Sequence, residues 1–202
     1  MARRLLSVAI AATAVLVFAV IGLGLWLEEG RVATEAEHPL QSIGGPFSLT
    51  DQRGRTVTNT DLRDRFMLIY FGYTYCPDVC PADLLGMSQA VAVLDDKRVQ
   101  PIFITIDPER DTVETMAAYA AHFHPDLLAL TGTSTQIATV AKAYGIYVRK
   151  TEGTDEGGEY LMDHTGQIYF MGRSGEFLRS FPHGTAPDVM VDAIRSHLQP
   201  TA

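Results

Sequence analysis

Two continuous apolar runs bracket one amphipathic segment, and that order leaves few folds open. Phe66–Phe71 (Phe-Met-Leu-Ile-Tyr-Phe) and Gln100–Ile106 (with Pro-Ile-Phe-Ile-Thr-Ile as its core) contain almost nothing polar. Runs of this length and kind read as strands buried on both faces. Between them, Leu84, Met87, Val91 and Leu94 recur at three- and four-residue spacing, which predicts a helix from about Pro81 to Asp96 with these residues on its buried stripe. Met87 reads here as core filler rather than as a metal ligand. Strand, helix, strand in this order implies a right-handed crossover and a parallel pair. The chain is therefore an α/β protein.

The remaining elements fit that class. Phe47–Thr50 and Thr56–Thr58 read as short strands around the turn Asp51-Gln52-Arg53-Gly54. Asp111-Thr-Val-Glu114 resembles a capping box, opening a helix that runs through about His122. A short strand is expected at Leu127–Leu130, then a helix capped by Ser134 and ended by Gly145. Ile146–Val148 and Tyr160–Met162 flank a glycine- and acid-rich loop, Thr151–Glu159. Gln167–Met171 and Phe177–Phe181 read as a hairpin. A last helix starts near Thr185, with Pro187 in its first turn and Asp188 completing a box, and runs to about Leu198.

At the N-terminus, Leu5–Leu27 is an uncharged, almost wholly apolar run of 23 residues. At ~1.5 Å per residue it is long enough to cross a bilayer core of ~30 Å. A cleaved secretory signal is the alternative, but its apolar region is usually only about 7–15 residues long. Arg3 and Arg4 precede the run and Glu28 and Glu29 follow it, so the positive-inside rule exports everything after Leu27. The expected layout is an anchor at 1–27, a tether at 28–43 and a globular domain at 44–202. The expected place is a bacterial inner membrane, crossed once, with the domain in the periplasm. The exported part keeps 14 Lys+Arg against 24 Asp+Glu, a net charge of −10, which argues against nucleic acid as a partner, since that needs a basic surface.

The only two cysteines lie in Tyr-Cys76-Pro-Asp-Val-Cys80-Pro, between the first apolar run and the helix. Both precede proline, which pushes them away from helical geometry. Pro81 is tolerated in a helix only in the first turn. Cys80 is thus expected at the lip of the helix and Cys76 in the loop before it. Backbone N–H groups and the positive end of the helix dipole favour thiolate there, while the charge of Asp78 opposes a second anion. A structural disulfide is the bland reading for two cysteines in an exported chain. It would close so small a loop that it constrains the unfolded chain very little. Two soft sulfurs with an imidazole suit copper; the same pair could also serve plain thiol redox.

Six histidines are candidates for a third ligand. His38 falls in the tether and His197 near the C-terminus. His122 and His124 are two apart, which does not place them on one helical face. His183 sits between Pro182 and Gly184. His164, in Asp163-His164-Thr165-Gly166, is expected at a turn between strands, where an isolated histidine is more often solvated than bound to metal.

The segment Tyr70-Phe-Gly-Tyr-Thr-Tyr-Cys76-Pro-Asp-Val-Cys80-Pro closely resembles the signature of the Sco/SenC family, membrane-tethered copper proteins that help assemble the dinuclear copper centre of cytochrome c oxidase. Ile104-Thr-Ile-Asp107-Pro-Glu-Arg110-Asp-Thr, Leu130-Thr-Gly-Thr133 and Asp163-His164-Thr165 resemble further family segments in the right order. The resemblance spans roughly residues 44–196. It implies a thioredoxin-like central mixed sheet flanked by helices, and copper as the bound ion. It implies Cys76 and Cys80 as thiolate ligands and His164 as the imidazole ligand. Asp78 and Asp163 become candidates to orient His164 or the loop, and Asp107 either supports the site or caps a turn. The implied partners are the copper-bearing oxidase subunit, other periplasmic copper or thiol carriers, and the membrane.

Two functions remain at this point. One is a metallochaperone that carries copper and hands it over. The other is a thiol–disulfide oxidoreductase that uses Cys76 and Cys80 to reduce the acceptor's cysteines. The usual redox signature has two residues between its cysteines, and this chain has three.

Overall fold

The computed structural model describes residues 43–151 and 160–199. The expected anchor (1–27), nearly all of the tether, His38 and the acidic loop after Thr151 lie outside the described residues. Among the described residues no helix is long and apolar enough to cross a membrane.

Among the described residues, nine strands and four α-helices make up the domain. β1 (Ser48–Asp51) and β2 (Thr56–Thr58) form the first hairpin, and β3 (Phe66–Gly72), α1 (Val79–Leu94) and β4 (Val99–Thr105) form the crossover unit. There follow α2 (Val113–Ala120), β5 (Leu128–Thr131), α3 (Ser134–Ala143), β6 (Val148–Thr151) and β7 (Leu161–His164). The chain closes with β8 (Gln167–Met171), β9 (Phe177–Pro182) and α4 (Pro187–Leu198). The central sheet has the order β2-β1-β5-β4-β3-β8-β9. β3, β4 and β5 are parallel, and the pairs β1–β2, β1–β5, β3–β8 and β8–β9 are antiparallel. This is the mixed, thioredoxin-like sheet expected from the sequence. β6 and β7 form a separate two-stranded ribbon.

Every residue of β3 and β4 is buried, as the unbroken apolar runs require. Leu84, Met87 and Val91 of α1 are buried, with Leu94 packed partly against the core. Helix α1 begins two residues before Pro81, so the missing proline N–H falls in the first turn, where it has no helical partner to lose.

Three caps differ from expectation. Thr112, not Asp111, caps α2 by accepting from the Thr115 N–H. Thr133, not Ser134, caps α3 and exchanges hydrogen bonds with Gln136. Helix α4 starts at Pro187, and Asp188 accepts from Val189 rather than completing a box with Thr185. Asp111 is fully buried and its carboxylate is occupied elsewhere, which moves the α2 cap one residue on.

Candidate metal centre

The site forms where β3 ends and α1 begins. Gly72 closes the strand, and it has to be glycine. A Cβ there would stand 2.9 Å from Cys80 Sγ and 2.9 Å from the Tyr70 ring, so a side chain would push the sulfur out of its seat. The loop then turns through Tyr73, whose carbonyl accepts from the Cys76 N–H. Asp111 holds the loop from below. Its carboxylate accepts from the Thr74 N–H (3.1 Å) and hydroxyl (2.5 Å), and from the Thr105 hydroxyl (2.5 Å). Burial pushes the Asp111 carboxyl up despite those three donors.

Cys80 is fully buried as the second residue of α1, while Cys76 keeps 9% exposure and lines a cavity of about 460 Å³. Both thiols are free. The Cys80 N–H points at Cys76 Sγ across 3.4 Å. The pair is electrostatically unequal. Hydrogen bonding from the Cys80 thiol, then from His164 and from the N–H groups of Asp78 and Cys80, pulls the Cys76 thiol well below the usual range, against burial. The same bond to Cys76, together with burial, pushes the Cys80 thiol up. The thiol held low is the outer one, which lines the cavity.

His164 is the last residue of β7, not a turn residue, and the ribbon brings it over the sulfurs. Its Nε2 lies 3.5 Å from Cys80 Sγ. Its Nδ1 lies 3.0 Å from the Thr165 carbonyl. A carbonyl can only accept, so Nδ1 donates to it and Nε2 is the nitrogen that faces the sulfurs. The rings of Tyr70 and Tyr73 stand edge-on to the imidazole, with centroids at 6.3 and 6.1 Å. The Tyr73 hydroxyl also accepts from the Met162 N–H, which fastens β7 to the cysteine loop.

Of the sequence-predicted site residues, Cys76, Cys80 and His164 therefore converge. Among the described residues no three donor side chains stand in closed coordination geometry; hydrogen bonds join this trio instead. Asp78 contributes its backbone N–H to Cys76, and its side chain makes no capping bond. Asp163 lines the cavity, but its carboxylate pairs with Arg149 at 2.6 Å, and the Thr165 carbonyl orients His164 in its place. Asp107 is buried, paired with Arg110, and hydrogen-bonded by the Tyr160 hydroxyl. His183 also reaches the cavity wall, its Nδ1 held by the buried carboxylate of Asp83. His122, His124 and His197 do not line the cavity.

Sequence reasoning assigned no site role to Gly72, Tyr70, Tyr73 or Asp83, and read Asp111 only as a helix cap. The available signals were two tyrosines on or beside an otherwise apolar strand, and carboxylates at helix starts.

The SCO1/SenC family model matches residues 35–199, and so covers most of the chain, the described domain included. The chain belongs to the SCO1/SenC family. It is 40% identical over 201 residues to the mitochondrial SCO2 homolog of Bos taurus, covering 92% of this chain and 75% of that protein. It is 42% identical over 162 residues to the mitochondrial SCO1 homolog of Homo sapiens, covering 78% of this chain but only 54% of the human protein. Among solved structures, Bradyrhizobium japonicum ScoI with copper bound matches at a TM-score of 0.71 and 43% identity, covering 77% of this chain and 99% of that one.

Proposed function

We propose that this SCO1/SenC protein carries copper as cargo, on the Cys76 and Cys80 thiolates and the His164 imidazole, and hands it to an acceptor. One observation carries the reading. An imidazole 84 residues away in the chain stands 3.5 Å from Cys80 Sγ, with its other nitrogen tied to a carbonyl. Metal-binding histidines are held in this way, because the second hydrogen bond fixes the tautomer and raises the basicity of the ligating nitrogen. A peroxidase or plain dithiol would gain nothing from that arrangement. The donor set fits the ion: two thiolates and an imidazole suit low-coordinate cuprous copper, and a cupric ion would need a fourth, harder ligand. The relative from Bradyrhizobium, described with copper bound, supports the same choice.

Transfer then proceeds by ligand exchange. Cys76 faces the cavity and is the sulfur an incoming ligand meets first. On this reading Leu5–Leu27 anchors the chain in a bacterial inner membrane, with residues 44–202 in the periplasm and 28–43 as tether. The acceptor is the copper-bearing subunit of cytochrome c oxidase, and other periplasmic copper or thiol carriers supply the ion. Tethering beside a membrane-bound acceptor raises the effective concentration of the cargo.

The inequality of the two thiols favours a second activity at the same site. The Cys76 thiolate can attack a disulfide in the acceptor and form a mixed disulfide. That step releases one acceptor thiolate; Cys80 then gives up its proton and attacks Cys76 Sγ, closing a Cys76–Cys80 disulfide and releasing the second acceptor sulfur, so two electrons and one proton leave the pair and solvent supplies the second proton.

Anaerobic titration of the reduced full-length chain with cuprous ion, against a competing chelator, decides between these readings. One ion per chain is expected. His164→Ala is expected to weaken binding by about two orders of magnitude, the fold-change that corresponds to ~3 kcal/mol for one lost donor. Unchanged affinity in that variant defeats the three-donor site and leaves the thiol reductase.

A further inference from the structure

His164 sits on a ribbon outside the central sheet, and something must hold that ribbon over the sulfurs. The structure supplies a fastening centred on Arg110, in the loop between β4 and α2. The Arg110 side chain is only 17% exposed. Its Nε donates to the buried carboxylate of Asp107, and its Nη1 donates to the Tyr160 carbonyl at 3.0 Å. The guanidinium plane lies over the Tyr160 ring, 3.7 Å from the centroid, and over Tyr75 at 4.6 Å. The Tyr160 hydroxyl returns to the other Asp107 oxygen at 2.8 Å.

These contacts tie three segments together. Tyr160 directly precedes β7, so its position sets where β7 begins. Tyr75 directly precedes Cys76. Asp107 and Arg110 belong to the loop whose Asp111 holds Thr74. One guanidinium therefore touches both the segment that carries the imidazole and the segment that carries the outer thiol. An arginine does this where a lysine does not, because its rigid fork donates in two directions while its flat face stacks on rings.

We infer that Arg110, with Asp107 and Tyr160, is a positioning device for the metal centre, holding the imidazole of His164 in register with the two sulfurs. It touches neither the sulfurs nor the imidazole and acts through β7. The inference rests on the three-donor reading above. Loss of Arg110 leaves Cys80 held by α1 and the Cys76 loop held by Asp111 through Thr74, but lets the imidazole drift, so the site falls back toward two sulfurs.

The test is a double-mutant cycle on the full-length chain in detergent micelles, read as cuprous affinity by chelator competition. Arg110→Ala is expected to weaken binding about 10–100-fold, as removal of a group supporting a metal ligand does. His164→Ala is expected to cost its full amount in the parent and little more in the Arg110→Ala background. Two residues acting through one donor do not add, whereas a merely destabilising change adds independently.

Arg110→Lys, which keeps the charge beside Asp107, and Tyr160→Phe, which keeps the stacking, should show the same non-additivity in milder form. Those two variants decide the matter if Arg110→Ala does not fold. Additive losses across the cycle, or a cuprous affinity untouched by all three changes, overturn the inference. If His164→Ala costs nothing in the parent, the three-donor reading is what fails, and no imidazole remains to be positioned.

Discussion

The two halves of the site are built by opposite means. The sulfurs belong to the frame of the domain, since Cys80 follows β3, whose seven residues are all buried, and opens a helix packed on the core. The imidazole belongs to an appendage, for no residue of β6 or β7 is fully buried and the ribbon shares no ladder with the central sheet. Packing and burial fix the thiols, whereas a handful of polar and aromatic contacts fix the ring. A centre of this kind could keep two donors constant while the third is adjusted or released, which is what the proposed carriage and transfer of an ion would require.

The contrast is broken most severely in the frame. Leu68→Ala, in the middle of β3 with no exposed surface, should cost about 2–5 kcal/mol in denaturant unfolding. Met162→Ala, on the half-buried ribbon, should cost about 1 kcal/mol or less. Equal losses would mean that the ribbon is as integral to the fold as the sheet. Next in size, Cys80→Ser should lower cuprous affinity by at least two orders of magnitude in chelator competition, with little change in the unfolding midpoint. A serine oxygen keeps the volume of the sulfur nearly intact but is a poor soft-metal donor.

The same division separates what the sequence made legible from what it did not. The β3–α1–β4 unit and the position of Cys80 followed from local patterns: apolar runs, a helical stripe, and a proline confined to a first turn. The place of His164 did not, because its approach to Cys80 spans 84 residues and no local spacing encodes it. It came from the family resemblance alone. Asp111 was misread as a helix cap for a related reason. Its true partners, Thr74 and Thr105, lie on two other elements, and only the assembled sheet brings them together. Asp163 was read as a support for its neighbour His164, but successive side chains of a strand leave on opposite sides.

A smaller effect concerns the two thiols. Because Cys76 is held below the ordinary thiol range, it is expected to alkylate with iodoacetamide at pH values where a free thiol is still protonated. The midpoint of its rate profile, resolved from Cys80 by mass spectrometry, should fall below ~8.5. Cys80 should stay unreactive throughout. The linkage has two arms. The depressed Cys76 value stabilises the fold above the unfolded thiol pKa, and that contribution is lost as pH falls through the folded value. The raised Cys80 value stabilises the fold below the unfolded thiol pKa, and that contribution is lost as pH rises through the folded one. Equal alkylation of both sulfurs would show that their surroundings do not separate the two thiols.

The smallest effect expected is also the most pointed, because Asp163 is next to His164 in the chain and lines the same cavity. Its carboxylate is half exposed and engaged with Arg149, itself exposed, across the register of the ribbon. The imidazole takes its orientation from the Thr165 carbonyl, which a change at Asp163 leaves in place. Asp163→Asn keeps the shape of the side chain and removes only its charge. Cuprous affinity should therefore stay within about fivefold of the parent, the ceiling expected for an exposed ion pair. A tenfold loss in the same competition assay would mean that the outer face of the ribbon governs the inner one, and that the imidazole is held less by its own carbonyl than by the ribbon's surface charges.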